Sequence, residues 1–387
     1  MASFGAFAAG FLTRPLGAIV FGHFGDRIGR RMMLMLTVSI MGSCTFLIGL
    51  LPTFDRLGTW AAVLLVGLRI VQGLGIGGEF GAGALVALEN APRGRRGLMG
   101  SLHQVGTPAG LLASTGVFAL MQLLPDDAFA AYGWRIPFLL SGGFLAVAFY
   151  IRKNLPETRA FQVDRQETRK FPLLALLREH PKNIALATGA RMADAVTFNV
   201  INVFGIAYAT KHLGLPNEVM LTGFTIAAAV EIAAIPVIGT ISDRVGRRPV
   251  YLTGIVICGI FGIAYFPLLA TGSTILAWLA IVVMLAFGTG CMFAIQGTLF
   301  AELFGTKVRY TGVGVAYQAS ALLGGAPTPI IATALAAWAG NSYWPVVGYL
   351  AALCLLSLVC IVVAGETYKN NLTTEAKAGA AKESRAG

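Results

Sequence analysis

Charged residues are scarce in this sequence, because Asp, Glu, Lys and Arg make up 12% of its 387 residues. A soluble domain usually carries about 25%, so the composition argues against a water-soluble protein. The chain also lacks any Cys-x-x-Cys or Cys/His spacing. Its five cysteines lie in apolar stretches and are expected to be buried thiols, so neither a disulfide nor a metal site is predicted. No cofactor is expected.

Long apolar runs take the place of the missing charge. Hydrophobic residues make up 56% of the chain and the mean hydropathy is +0.73. Runs of about 20 apolar residues can cross a bilayer as helices, and they predict an all-α membrane protein with eleven spans. The predicted spans are 3–22, 33–51, 59–89, 98–124, 136–151, 184–210, 220–240, 250–270, 273–300, 311–336 and 344–364.

The net charge of +11 is distributed unevenly along the chain. Of the 29 Lys and Arg residues, 23 fall in alternate loops and in the C-terminal tail. This alternation follows the positive-inside rule, and a nucleic-acid-binding surface has no reason to show it. We therefore expect a multi-pass protein of the plasma (cell inner) membrane and no nucleic-acid partner. The basic loops 23–32, 91–97, 152–183, 241–249 and 301–310 are predicted to be cytoplasmic, as is the tail after Gly365.

One ten-residue stretch occurs twice. Gly22-His-Phe-Gly-Asp-Arg-Ile-Gly-Arg-Arg31 recurs as Gly239-Thr-Ile-Ser-Asp-Arg-Val-Gly-Arg-Arg248. Internal repeats inside an apolar chain are typical of transporters built from two related halves. We predict an N-terminal bundle at 1–151, a cytoplasmic linker at 152–183, a C-terminal bundle at 184–364 and a tail at 365–387. The second half has a span at 184–210 with no counterpart in the first, so the duplication predicts twelve spans with the first one missing.

The repeated stretch predicts a latch between helices. Its glycines allow close approach and a tight turn, and its charges can pair at one end of the spans and separate when the halves move. The alternative is that its arginines only set membrane orientation. Glu89 and Glu302, which lie near equivalent loops of the two halves, are predicted to belong to the same latch. The predicted gating residues are Gly22, Asp26, Arg27, Gly29, Arg30, Arg31, Asp243, Arg244, Gly246, Arg247, Arg248, Glu89 and Glu302.

Three polar side chains share one stripe of the span at 59–89: Arg69, Gln72 and Glu79. Ionisable groups inside a membrane are costly, so they indicate function by default. Arg69 and Glu79 are about 15 Å apart along a helix, so they cannot pair directly. We predict that Arg69 and Gln72 line a cavity, and that Glu79 carries protons or belongs to the gate.

Other charges lie inside the remaining spans. Arg14 and Glu231 occupy equivalent positions of the two halves, and each either pairs locally or serves transport, Arg14 in the substrate path and Glu231 as a proton carrier. Arg191 and Asp194 are three residues apart, and they either neutralise each other or form a site. On their helix face, Phe198 and Asn202 complete the predicted cavity, and Asp194 is a second candidate for proton coupling.

These motifs resemble the major facilitator superfamily, and in particular its metabolite:proton symporter branch. The resemblance rests on the doubled Gly-x-x-x-Asp-Arg-x-Gly-Arg-Arg loop, on Arg69-x-x-Gln72-Gly73-x-x-x-Gly77-Gly78-Glu79, and on Gly133-Trp-Arg-Ile-Pro-Phe138. It implies two pseudo-symmetric six-helix bundles around a central cavity, with alternating access driven by an ion gradient. Relatives carry small organic acids such as 2-oxoglutarate, citrate or shikimate, or osmolytes such as proline and betaine.

The leading hypothesis is a monomeric, proton-coupled symporter of a small organic acid, dicarboxylate- or shikimate-like. The intramembrane arginines Arg14, Arg69 and Arg191 favour an anionic substrate. A zwitterionic osmolyte is the alternative. A non-transporting fragment or membrane sensor is a third hypothesis, because of the missing span. A membrane enzyme would need a catalytic cluster in its loops, and the loops contain none.

Overall fold

The structure is a computed structural model that describes residues 2–92, 94–153, 172–305 and 308–368. Eleven long helices run through these residues. The first half contains α1 (Ala2–Ile28), α2 (Arg30–Leu50), α3 (Thr59–Glu89), α4 (Arg96–Met121) and α5 (Ile136–Lys153). The second half contains α6 (Pro181–His212), α7 (Asn217–Val245), α8 (Arg247–Ala270), α9 (Thr274–Leu303), α10 (Arg309–Trp338) and α11 (Trp344–Ala364).

Length and composition make most of these helices suitable for crossing a membrane. Nine helices in the described part of the chain are long and apolar enough, and α1 and α4 are the two long helices outside that set. Short helices at Phe54–Leu57, Asp126–Ala131, Gly133–Arg135 and Pro172–Glu179 lie between the long ones. The last of these falls within the predicted linker, most of which (154–171) lies outside the described residues, as does the tail beyond residue 368.

Three helices of the second half change their winding near the middle. π-helical turns occupy Val200–Gly205 in α6, Val283–Thr289 in α9 and Ala321–Gly325 in α10. Such turns are rare and frequently lie at functional sites. The turn in α10 precedes Pro327 and Pro329, a pair that removes two backbone donors and favours a break in the helix.

The two halves meet chiefly where α1 packs on α10 and α4 packs on α7, while α3 also contacts α9 and α10 and α4 also contacts α9. Gly22 of α1 lies so close to α10 that a Cβ atom there would be 2.9 Å from the Cα of Thr311. Gly239 of α7 is its counterpart, and a Cβ atom there would be 2.7 Å from the carbonyl oxygen of Gly97 in α4. The first glycine of each repeat therefore stands where the halves cross. We call the end of the molecule that carries the two repeated loops the motif face.

Candidate functional site

One contact that closes the motif face joins α1 to α10. Asp26 accepts hydrogen bonds from the backbone N–H groups of Tyr310 (3.1 Å) and Thr311 (3.0 Å) and from the Thr311 hydroxyl (2.7 Å). The amides in the first turn of a helix have no carbonyl partner within it, and a carboxylate there also meets the positive end of the helix dipole. Asp26 therefore caps a helix of the other half.

The equivalent contact joins α7 to α4. Asp243 accepts hydrogen bonds from the backbone N–H groups of Gly97 (2.7 Å) and Leu98 (2.9 Å), in the first turn of α4. The carboxylate also lies 2.9 Å from Nη1 of Arg247. Each half thus supplies the acid that caps one helix of its partner half. The pairing is reciprocal, as the sequence repeat requires of a two-fold arrangement.

Two buried ion clusters stand behind these caps. Glu89, whose side chain is fully buried, pairs with Arg30 of its own half and with Arg309 of the other half, at 3.3 Å. Glu302 pairs with Arg247 at 3.4 Å and accepts a hydrogen bond of 2.7 Å from the Thr367 hydroxyl. Removing one partner of a buried pair typically costs 3–5 kcal/mol. The Glu89–Arg309 pair joins the two halves across the motif face, whereas Arg247, Glu302 and Thr367 all belong to the second half and brace its loop.

Not every cation of the repeat takes part in the latch. Arg27 and Arg244 are exposed, and Nη1 of Arg27 lies 3.2 Å from Nε2 of His23 on the same helix. Arg31 and Arg248 are half-buried. The latch contacts described above come from the aspartate and from the middle arginine of each repeat.

Two tight turns position these side chains. Gly29 (φ 128°) and Gly246 (φ 104°) have backbone angles that favour glycine. After the second turn, the carboxylate of Glu366 accepts hydrogen bonds from the backbone N–H groups of Arg247 (2.9 Å) and Arg248 (3.1 Å). The residues that follow α11 therefore tie the end of the second half to its repeated loop.

A second polar group lies deeper, within the second half. The guanidinium of buried Arg191 lies 3.7 Å from Asp194 and donates to Gln296 (3.1 Å) and to the Ser320 hydroxyl (3.0 Å). The amide of Gln296 donates in turn to Asp194 (3.3 Å) and to the Tyr251 hydroxyl (3.4 Å). The predicted Arg191–Asp194 neighbours are thus joined to side chains from α8, α9 and α10.

Arg14 and Glu231 face this group from α1 and α7. Nε of Arg14 is buried and has no hydrogen-bond partner among the described residues. Its guanidinium lies 3.7 Å above the ring of Phe11, and with Gln318 of α10 it lines a small pocket between the halves. Glu231 is close enough to Asp194 for their charges to interact, and no hydrogen bond or ion pair of Glu231 is found in the described part of the chain.

The three polar residues predicted to share one face of α3 lie in two different surroundings. Arg69 donates to Gln72 (2.9 Å), whose amide donates to the hydroxyl of Thr45 in α2 (2.8 Å). These hydrogen bonds stay within the first half and do not reach the Arg191 group. Glu79 lies nearer the motif face, where its charge interacts with Tyr310. The sequence could not separate these two surroundings, because helical spacing fixes a shared face and not a shared neighbour.

No contact found in the described part of the chain joins Phe198 or Asn202 to Arg191. Phe198 is 51% exposed, and the amide of Asn202 donates to the Phe198 carbonyl oxygen at 3.0 Å. The π-helical turn begins at Val200, so the face expected from a regular helix does not continue through Asn202. Within the described residues, no group of three His, Cys, Asp or Glu side chains could hold a metal ion.

Sequence reasoning missed the residues that receive the two caps. At the cap of α10, Tyr310 and Thr311 contribute backbone amides, which any residue type supplies, and the Thr311 hydroxyl adds a third hydrogen bond whose partner the sequence could not indicate. It also missed Phe80, whose ring stacks on Tyr317 of the other half at 3.7 Å. A phenylalanine in an apolar helix resembles any lipid-facing or core residue. Its contact with Tyr317 is what shows that Phe80 lies at the boundary between the two halves.

Comparisons with known proteins place the chain in a family. Residues 2–172 match the family model described as "Sugar (and other) transporter" and residues 187–385 match the one described as "Major Facilitator Superfamily". The chain belongs to the major facilitator superfamily. It is therefore a transporter and not an enzyme, and the predicted all-α fold of two pseudo-symmetric bundles is confirmed.

Individual relatives support the same assignment. The transporter is 38% identical over 364 residues to the shikimate transporter of Escherichia coli (strain K12), covering 92% of this chain and 83% of that protein. It is 31% identical over 382 residues to the proline/betaine transporter of the same organism, covering 95% and 75%. The proton:xylose symporter XylE bound to 6-bromo-6-deoxy-D-glucose has the same fold, with a TM-score of 0.74 at 17% identity, covering 95% and 87%.

Proposed function

We propose that this transporter is a proton-coupled symporter of a small organic acid, and that the substrate carboxylate binds Arg14. The observation that carries the proposal is the buried Nε of Arg14, which has no hydrogen-bond partner among the described residues. A buried guanidinium N–H without a partner is costly within a membrane, and a carboxylate ligand could accept from Nε and a neighbouring Nη in two parallel hydrogen bonds. The named function of the shikimate transporter, which handles a carboxylic acid, supports the same substrate class.

The acids beside Arg191 support proton coupling. One guanidinium faces two carboxyl groups, because Asp194 lies 3.7 Å from Arg191 and Glu231 lies within electrostatic reach of Asp194. A proton on Glu231 would leave the group electrically neutral, which a membrane interior favours. Binding and release of that proton would accompany movement of the two halves. Glu231 is therefore the proposed proton carrier, with Asp194 and Arg191 setting its surroundings.

The latch supports alternating access. In this structure both caps and both buried ion clusters of the motif face are formed, so the motif face is closed. Rocking the halves apart would break the contacts of Asp26 and Asp243 together, because each bridges the two halves. We place the motif face in the cytoplasm on the basis of the basic loops.

Uptake by proteoliposomes under an imposed pH gradient tests the proposal. Radiolabelled shikimate is expected to accumulate inside vesicles of the wild-type protein when the outside is acidic. Glu231→Gln should abolish this gradient-driven accumulation and still exchange substrate without a gradient, because the amide cannot carry the proton. The matched control is Glu218→Gln, an exposed acid in the first turn of the same helix. Wild-type uptake that ignores the gradient would refute proton coupling.

The zwitterionic alternative is decided in the same vesicles. Identity to the proline/betaine transporter supports it, since that relative carries the two compounds of its name. A betaine cation would need an acid or an aromatic face, and Phe11 with Glu231 would offer both. Inhibition of radiolabelled shikimate uptake by glycine betaine but not by 2-oxoglutarate would favour an osmolyte as the substrate. Competition in the opposite sense would favour the organic acid.

A further inference from the structure

The ring of Tyr317 lies between a cation of its own half and an aromatic ring of the other half. The guanidinium carbon of Arg191 lies 3.6 Å from the centre of the Tyr317 ring. The ring of Phe80 stacks on Tyr317 with centroids 3.7 Å apart and an interplanar angle of 23°. Two groups cannot both lie this close to one face of a ring. Arg191 and Phe80 therefore occupy opposite faces of Tyr317.

The contact with Phe80 crosses between the halves. Phe80 belongs to α3 and is buried, at 9% exposed, while Tyr317 belongs to α10. About two turns of α10 nearer the motif face, the hydroxyl of Tyr310 donates to the carbonyl oxygen of Gly78 at 2.7 Å. The stack thus lies between the motif-face latch and the polar group around Arg191. Opening the motif face would separate α3 from α10 and break the stack.

Arg191 is shared between Tyr317 and an acid. Besides its position over the ring, its Nη1 donates to the Tyr317 carbonyl oxygen at 3.2 Å, while Asp194 lies 3.7 Å away. The hydroxyl end of Tyr317 lies within electrostatic reach of Arg14, while the two faces of its ring contact Arg191 and Phe80. The cation–π contact strengthens when the cation has fewer competing anions.

We propose that Phe80 and Tyr317 form an aromatic clasp through which the charge of Asp194 sets how firmly the two halves hold together. When the proton of this group lies on Asp194 rather than on Glu231, Asp194 is neutral, and Arg191 loses its anion and rests on Tyr317, which holds the ring in place for Phe80. When Asp194 is charged, Arg191 is drawn from the ring and the clasp loosens. Both aromatics are positioning residues that act through Arg191. The part they play in symport rests on the proposed function, whereas the clasp itself does not.

The clasp can be measured as a distance across the motif face. Ile28 and Val245 are equivalent residues at the ends of α1 and α7, 54% and 55% exposed, and the five native cysteines are buried. Spin labels on Ile28→Cys and Val245→Cys report open and closed populations of the full chain by pulsed dipolar spectroscopy. The measurement requires neither substrate nor a pH gradient.

Removing the ring of Phe80 should favour the open motif face. An aromatic pair contributes enough that Phe80→Ala is expected to raise the open-to-closed ratio about two- to ten-fold. Tyr317→Leu should do the same, while Tyr317→Phe and Phe80→Tyr should match the wild type because they keep both rings. If Phe80→Ala does not fold, Phe80→Leu fills most of the space without a ring and carries the same expectation. An unchanged ratio in the folded variant would overturn the proposal.

A double-mutant cycle tests the link to Asp194. Asp194→Asn alone should lower the open-to-closed ratio, because the neutral amide leaves Arg191 to the ring. In the Phe80→Ala background the same substitution should have a much smaller effect. Equal effects in both backgrounds would overturn the coupling between the acid and the clasp. Failure of the proposed function would instead be seen as wild-type uptake that ignores the pH gradient, with these distance changes intact.

Discussion

Among the described residues, Arg14 combines a buried polar atom that lacks a hydrogen-bond partner with a position at a pocket between the halves. Arg191, by contrast, already has Gln296, Ser320 and Asp194 as partners. A carboxylate ligand would therefore gain more from Arg14 than from Arg191, because forming a bond to Arg191 means displacing an existing one. This difference separates the proposed binding residue from the proposed coupling group.

We expect Arg14→Gln to raise the apparent KM for shikimate by about ten- to a hundred-fold, which corresponds to the loss of a charge-assisted hydrogen bond of about 1.5–3 kcal/mol. The maximal rate should fall less. The measurement is concentration-dependent uptake by proteoliposomes. Arg56→Gln is the matched control, since Arg56 is an exposed arginine in the loop between α2 and α3. A normal KM for Arg14→Gln would exclude Arg14 from substrate binding.

The sequence identified intramembrane charges but not all of their contacts. Arg69 with Gln72, and Arg191 with Asp194, were predicted as neighbours because helical spacing brings such residues together. The bond from Gln72 to Thr45 and the contact of Tyr317 with Phe80 link residues on different helices. Such contacts depend on how the helices pack, and a single sequence contains no direct record of packing.

At the scale of helices, α4 and α10 depend on caps from outside their own half. Asp26→Asn and Asp243→Asn should each raise the open-to-closed ratio of the motif face by up to about thirty-fold, because the amide keeps an acceptor oxygen but removes a negative charge at the helix start that contributes up to about 2 kcal/mol when partly buried. The labels on Ile28→Cys and Val245→Cys report the ratio. The double variant should show the product of the two effects, since the sites are separate.

The matched control for these caps is Asp55→Asn, an exposed aspartate in the first turn of Phe54–Leu57, away from the motif face. It should leave the distance distribution unchanged. If Asp26→Asn left the distances unchanged as this control does, the latch prediction would be wrong, and the alternative, that the repeated loops only set membrane orientation, would be favoured.

Most helix boundaries followed from the sequence. The predicted start at 59 and end at 89 are those of α3, and α6 begins at Pro181 rather than at 184. Long apolar runs ended by charges leave few alternatives. The π-helical turns of α6 and α9 could not be predicted from the sequence, because a turn with one extra residue has the same apolar composition as the regular helix around it. The repeat predicted equivalent helices in each half, but it could not indicate that the caps cross between halves.

At the scale of the whole molecule, orientation in the membrane is testable by labelling. Arg56→Cys lies opposite the motif face and Arg244→Cys lies on it, and both positions are exposed. In intact cells, a membrane-impermeant maleimide should modify Arg56→Cys and should modify Arg244→Cys only after permeabilisation. The native cysteines are buried and should contribute little background. The reverse pattern would place the motif face outside the cell.

Reciprocal capping also constrains how such a protein can be recombined. A hybrid that joins the first half of one relative to the second half of another inherits the acid of one parent and the helix start of the other. Asp26 would then have to fit a foreign α10, and Asp243 a foreign α4, so a mismatch at either crossing would leave that helix end without its cap. Neither half expressed alone would carry the cap for its own exposed helix, and we expect α4 and α10 to fray there first.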